Sequence, residues 1–282
     1  MPAPDYQQEL DAAVAAARQA GALVRARIGQ AGAVQEKGLH DLVTETDEAS
    51  QRLILNVLAN ACPGIEALAE EGASEEELRG GYGRPRWIID PIDGTTNFTH
   101  GVSPFCISIA LHDGADLVLG VVYEVTADEL FAAVRGRGLT LNGVPASVSG
   151  TEELEHSLIT TGFPFRLFWY LDAYLDVLRQ LMLSTRGLRR PGAAAADLAY
   201  VACGRFDGYF EAGIAPWDVA AGIVLVREGG GRVTTLGGAE QGMLFGGQIL
   251  ATNGHLHQPM QTITAPLGKA YAAGLSPSDR TR

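Results

Sequence analysis

Aspartates 90 and 93 flank a proline in the stretch R-W-I-I-D-P-I-D-G-T-T-N-F-T-H-G, which runs from Arg86 to Gly101. Pro91 fixes φ and stiffens the turn that carries both carboxyls. Gly94 permits a close backbone approach, and the amides of Gly94, Thr95 and Thr96 can converge on an anion. Two carboxylates beside a ring of N–H donors would repel a phosphate unless cations sat between them. The residue types and their spacing point to a metal-and-phosphate site with further ligands elsewhere in the chain.

Three other places can supply them. Glu70 and Glu71 close the short apolar run Ala67-Leu68-Ala69 much as Asp90 closes W-I-I, and carboxylates at neighbouring strand ends would assemble a hard-metal site. Asp218 follows Pro216 and Trp217 at the start of a helical run; it is either a first-turn aspartate favoured by the helix dipole or another ligand. Small residues behind it, Ala220-Ala221-Gly222, would let that helix pack closely on a neighbour. The candidate ligands are all oxygen: Glu70, Asp90, Asp93, Asp218 and the Ile92 carbonyl. Such a set suits Mg²⁺ or Mn²⁺, two or more of which can clamp a phosphate and lower the pKa of a bound water. A Thr95 hydroxyl linked to Asp47 could orient that water. The plainer alternative is that Thr46 or Asp47 simply caps a helix. His255 and His257 read as surface residues, and no His or Cys has zinc spacing.

The elements that must position these groups follow from periodicity. Apolar residues from Asp5 to Ile28 recur at helical spacing, and a second helix is expected from about Glu48 to Asn60. Between them G-Q-A-G-A-V-Q-E-K-G-L-H-D reads as a turn or mobile flap with Lys37 its only cation. Glu75, Glu76 and Glu77 read as a solvated loop. F-C-I-S-I-A-L, D-L-V-L-G-V-V-Y and E-L-F-A-A-V are strand-like, and G-R-G-L-T-L-N-G-V-P a hairpin, giving an antiparallel meander flanked by two helices. From Ser157 strands and helices alternate, predicting an α/β lobe. The chain is thus expected to hold one domain over 1–265, with lobes of about 1–145 and 146–265, a last short helix from about His255, and a frayed tail over 266–282.

Composition excludes some classes. The net charge of −12 comes without any cluster of Lys and Arg, which argues against a nucleic-acid-binding protein. An acidic enzyme still binds anionic substrates when metal ions reverse the local field. No apolar run reaches the roughly 18 residues of a membrane span, and the N-terminus lacks a signal-peptide pattern, so a cytoplasmic setting is expected. Cys62, Cys106 and Cys203 are widely spaced and read as small buried hydrophobes.

D-P-I-D-G-T-T-N-F at Asp90–Phe98 and W-D-V-A-A-G at Trp217–Gly222 resemble the two signatures of the inositol monophosphatase family, within the lithium-sensitive, Mg²⁺-dependent phosphatases. K-G-L-H-D-L-V-T-E-T-D, the Glu70-Glu71 pair and P-G-A-A-A-A-D fall where that family has its other motifs, and the resemblance spans roughly Asp5 to Ala265. It implies a layered αβαβα sandwich of two packed lobes (a sugar-phosphatase-like α+β fold), a homodimer, and hydrolysis of a phosphomonoester by a metal-activated water. Two or three Mg²⁺ ions are implied. Glu70, Asp90 and the Ile92 carbonyl resemble the first metal site, Asp90, Asp93 and Asp218 the second, and Glu70 borders a weaker third. Thr95 and Asp47 match the water-activating pair, with Glu70 counted among the catalytic groups. Gly94 and Thr95 amides match the phosphate contacts, with Asp93 and Asp218 alongside. Gly192, Ala193, Ala194 and Glu211 fall where the family holds the alcohol portion. Ala69 replaces the usual Gly before the glutamate pair, which is tolerable unless φ is positive there, and Ala193 removes a hydroxyl common at its position. The expected substrate is myo-inositol 1-phosphate or a related polyol phosphate; fructose 1,6-bisphosphate, histidinol phosphate and a regulatory binding role are the alternatives.

Overall fold

A computed structural model describes residues 5–29, 34–38, 41–74, 78, 83–164 and 167–275. Five layers stack in the order helix, sheet, helix, sheet, helix, as the resemblance implied. The first layer pairs α1 (Gln7–Ala26) with α2 (Glu45–Ala61). Alanines 13, 16, 17 and 20 form the buried stripe of α1 with Val24, and side chains this small let the helix lie close to the sheet beneath.

That sheet has seven strands in sequence order, from β3 (Glu66–Ala69) through β4 (Arg86–Asp93), β5 (Cys106–His112), β6 (Leu117–Glu124), β7 (Glu129–Val134) and β8 (Leu139–Leu141) to β9 (Val144–Ala146). The meander is antiparallel as expected except at β3, which pairs parallel to β4. Both faces are covered, so β6 is buried along its whole length. Trp87 and Ile89 point to α1 and α2, while Ile88 points to the opposite face.

On that opposite face lie α5 (Ala194–Ala202) and α6 (Pro216–Glu228), the central layer and the shared core of both sheets. The second sheet has the order β11 (Gly187–Arg189), β10 (Leu158–Thr161), β12 (Gly208–Ala212), β14 (Gln248–Thr252), β13 (Arg232–Thr234), parallel on one side and antiparallel on the other. Its outer face packs on α4 (Leu171–Ser184) and α7 (His257–Gly274) through Tyr170, Tyr174, Leu181, Met260 and Tyr271. No described helix is long and apolar enough to cross a membrane.

The structure corrects four expectations. Within the expected flap, Val34–Gly38 (β1) pairs antiparallel with Asp41–Thr44 (β2), because the two short runs satisfy each other's backbone groups. The helix after it starts at Glu45, three residues early, since Thr44 and not Thr46 or Asp47 is the N-cap. The last helix is not short, and 266–282 is not frayed from its start: α7 continues through Pro266 to Gly274, with Leu267 and Tyr271 buried four residues apart. His257 is not on the surface. It is buried between the hydroxyls of Thr234 (2.9 Å from Nε2) and Thr252 (3.0 Å from Nδ1), whereas His255 is exposed. The expected loop glutamates 75–77 lie outside the described residues.

Candidate active site

The D-P-I-D segment ends β4. Its ladder with β5 is regular to Asp90–Ser108 and resumes only at Asp93–Cys106, an interruption that follows from Pro91, which has no N–H to give. Two bonds fix the segment. The Ile92 N–H donates to Asp90 Oδ1 (3.0 Å), and the Ser50 hydroxyl on α2 donates to the Pro91 carbonyl (2.8 Å). Gly94 then turns the chain at φ 89° into the short helix α3 (Thr95–His100). A side chain there would be strained and would also stand 3.2 Å from both the Pro104 carbonyl and the Ala193 methyl. Ala69 has no positive φ, so its methyl is accommodated in β3.

Asp47 serves two structures at once. Its Oδ2 accepts from the Thr44 N–H (2.9 Å) and the Thr44 hydroxyl, closing a capping box on α2. Its Oδ1 lies 3.0 Å from the Thr95 hydroxyl. That hydroxyl is equally 3.0 Å from the Ile92 carbonyl, and its single proton serves one acceptor at a time. Cap and site residue are therefore not alternatives for Asp47.

The second lobe meets the first at Asp93. Its Oδ2 accepts from the Ala195 N–H at the start of α5 (2.7 Å), and the Cys106 thiol stands 3.5 Å away. Asp218 occupies the third position of α6, where Oδ2 accepts from the Ala215 N–H (2.7 Å) and leaves its other oxygen outside the cap. Glu70 follows β3, its N–H donating to the Ile89 carbonyl (3.1 Å), which sets the glutamate beside the end of β4.

These pieces enclose one cavity of about 270 Å³. Glu70, Asp90, Ile92, Asp93, Gly94, Thr95, Gly192, Ala193, Ala194, Glu211 and Asp218 all line it, and Asp47 stands behind Thr95. Of the residues anticipated from sequence, all but Asp47 line the cavity, and Asp47 reaches it through Thr95. Gly162, Arg190, Asp197 and Ile214 also line the cavity and were not anticipated. Asp197 ends the P-G-A-A-A-A-D motif and could have been read as a helical residue facing the same side as Ala193; Arg190 and Ile214 carry no such signal.

The electrostatics are those of crowded acid. Burial, reinforced by Glu70, Asp93 and Asp218, holds the Asp90 carboxyl well above its ordinary range. Burial pushes Asp93 up to about 6 against the bonds from Ala195 and Cys106. Glu211 rises to about 8 by burial despite the bond from Tyr209, and Asp197 rises by burial and the charge of Glu211. Among the described residues, Arg190 is the one basic residue lining the cavity. Negative charge packed this densely is stable when cations share the space. The oxygens available to a cation are those of Glu70, Asp90, Asp93 and Asp218 and the Ile92 carbonyl. Among the described residues, the cluster of acidic and imidazole groups whose ligand atoms lie within reach of one another is the exposed Glu153, Glu155 and His156, so cavity oxygens would hold an ion jointly with water or substrate.

A layered αβαβα sandwich with an acid-lined cavity between its lobes defines a class, and the comparisons identify it. The chain belongs to the inositol monophosphatase family, whose model matches residues 5–267. It is 43% identical over 262 residues to an inositol-1-monophosphatase of Synechocystis sp., covering 93% of this chain and 90% of that one. It is also 43% identical over 264 residues to the Nus factor SuhB of Pseudomonas aeruginosa, covering 92% and 97%. Among solved structures, the extragenic suppressor protein suhB of Bartonella henselae superimposes with a TM-score of 0.84 at 38% identity, covering 91% of this chain and 98% of that one.

Proposed function

We propose that the protein is a Mg²⁺-dependent phosphomonoesterase acting on myo-inositol 1-phosphate or related polyol phosphates. One observation carries the reading: Glu70, Asp90, Asp93 and Asp218 converge on a cavity whose wall also holds the Gly94–Thr95 turn, with Asp47 behind Thr95. In this reading Glu70, Asp90 and the Ile92 carbonyl hold one ion, Asp90, Asp93 and Asp218 another, and Glu70 borders a third. Bound there, divalent cations would neutralise the phosphate and acidify a water. The chain's own groups do the rest. Amides of Gly94 and Thr95 orient the phosphate. The Thr95 hydroxyl, with Asp47 and the Ile92 carbonyl as alternative acceptors, passes the proton of an attacking water toward Asp47. Gly192, Ala193, Ala194 and Glu211 receive the alcohol, and with Ala193 offering only a methyl, Glu211 is the main hydroxyl partner.

A steady-state panel of myo-inositol 1-phosphate, fructose 1,6-bisphosphate and histidinol phosphate with Mg²⁺ tests this. Turnover led by the inositol ester is expected; a folded, Mg²⁺-loaded sample inert to all three would sink the reading. A homodimer belongs to the same proposal, supported by Leu175, Met182 and Leu183 exposed on α4. The free cysteines fit a cytoplasmic setting. A regulatory binding role is the second reading, favoured by the relatives named Nus factor SuhB. It would gain if Asp93→Asn abolished hydrolysis and left the cellular phenotype intact.

A further inference from the structure

Arg190 follows β11 and leads into Pro191 and Gly192 at the cavity wall. Its segment is anchored to α3, because the Asn97 side-chain amide donates both to the Pro191 carbonyl and to the Pro104 carbonyl, each at 2.8 Å. The guanidinium lies over the Phe163 ring, 5.3 Å from its centroid, and makes no ion pair among the described residues. Gly192, at φ 99°, leaves room for it: a methyl there would stand 2.6 Å from Nη1. The positive charge favours the ionised forms of Glu211 and Asp197, which sets it beside the residues of the alcohol end of the cavity.

A cation that lines an acidic cavity, rests on an aromatic face and pairs with no carboxylate among the described residues is placed to take an anion from outside. The planar fork of a guanidinium matches phosphate oxygens, and stacking on a ring leaves its N–H groups free for them. A second negative group at this end of the acid-lined cavity would have this guanidinium as its counter-charge. Resting on the phosphatase reading above, we propose that Arg190 forms an anion subsite that takes a second phosphate on the substrate's alcohol portion. Polyol bisphosphates are then bound more tightly than matched monophosphates, and the rim at Arg190 and Phe163 decides the preference.

Calorimetry with phosphonate analogues tests this apart from turnover. The probes are the methylene-phosphonate analogues of fructose 1-phosphate and fructose 1,6-bisphosphate, whose P–C bonds resist hydrolysis, titrated into the full chain with Mg²⁺. The wild type should bind the bisphosphonate about tenfold or more tightly than the monophosphonate. Arg190→Gln should erase that ratio, Arg190→Lys should keep part of it, and added salt should narrow it. Arg190 is exposed, so both variants are expected to fold, with unchanged melting as the control. Equal affinity for the two probes in the wild type, or an undiminished ratio in Arg190→Gln, overturns the subsite. Failure to hydrolyse the parent esters would instead count against the phosphatase reading, since binding is measured directly.

Discussion

Replacing Gly120 with alanine tests how rigidly the central layer holds Asp218. Gly120 sits in β6 directly beneath α6, and an added methyl would lie 2.5 Å from the Ala221 carbonyl oxygen and 3.1 Å from its Cα. Both partners are backbone, so neither can rotate aside. A separation of at least 3.0 Å is the least that carbon and oxygen tolerate there, so helix and sheet must part by about 0.5 Å or more, the difference from 2.5 Å. Overpacking of this kind costs about 1–3 kcal/mol, a fall in Tm on the order of 2–8 °C for a chain of this size. Ala221 is one turn from Asp218, so the displacement reaches the carboxyl. Since a misplacement of about 1 Å can cost ~100-fold in rate, half of that predicts roughly a tenfold drop in kcat/KM. Thermal melts and steady-state hydrolysis on Gly120→Ala would be read beside Gly150→Ala, where the methyl meets open space without a positive φ. If the two variants match in both Tm and kcat/KM, packing against β6 does not hold α6 and Asp218 rigidly in place.

Three further outcomes follow from the site and the core. Asp218→Asn keeps an oxygen for the Ala215 N–H, so the cation-free melt should move by less than about 1 kcal/mol, while Mg²⁺ affinity by calorimetry falls at least tenfold; the reverse pattern would reduce Asp218 to a helix cap. Asp47→Asn removes the proton acceptor behind Thr95 and should lower kcat by about 10²–10⁴ with KM little changed, measured on whichever ester the panel selects. His257 has its pKa lowered to about 4 by burial and by the charge of Arg232. The unfolded chain therefore binds a proton that the folded one refuses, so stability is full above pH 6.5 and declines from there toward pH 4. His257→Gln should flatten that decline in urea midpoints taken between pH 7 and 4.5; identical slopes would remove His257 from the account.

Much of the site was legible because its chemistry needs particular residues at short range. Asp90, Pro91, Asp93 and Gly94 belong to one turn, and W-D-V-A-A-G announces a helix whose small side chains permit the close approach seen at Gly222, where a methyl would meet Leu198 at 2.4 Å. Arg190 and Ile214 were not legible, since what makes them cavity residues is the meeting of β11, β12 and α6 across long sequence distances. The burial of His257 was not legible for a similar reason: its two partners lie on β13 and β14, and nothing in the local pattern distinguishes it from a solvent-facing polar residue at a helix start. The continuation of α7 past Pro266 was hidden because Leu267 and Tyr271 become an apolar stripe only against the second sheet. Local pattern gives turns and helix faces, and it stays silent where burial is decided by a distant strand.

The double engagement of Asp47 has one more consequence. One of its oxygens closes the first turn of α2 and the other is one of two acceptors offered to Thr95, so the order of that helix start and of the reacting end of the cavity is coupled. Fraying that opens the Thr46 and Asp47 amides to solvent exchange leaves the Thr95 hydroxyl to the Ile92 carbonyl alone, and whatever holds Thr95 against Asp47 slows that exchange. The same residue thus makes a helix end, ordinarily the loosest part of a helix, as persistent as the site it serves.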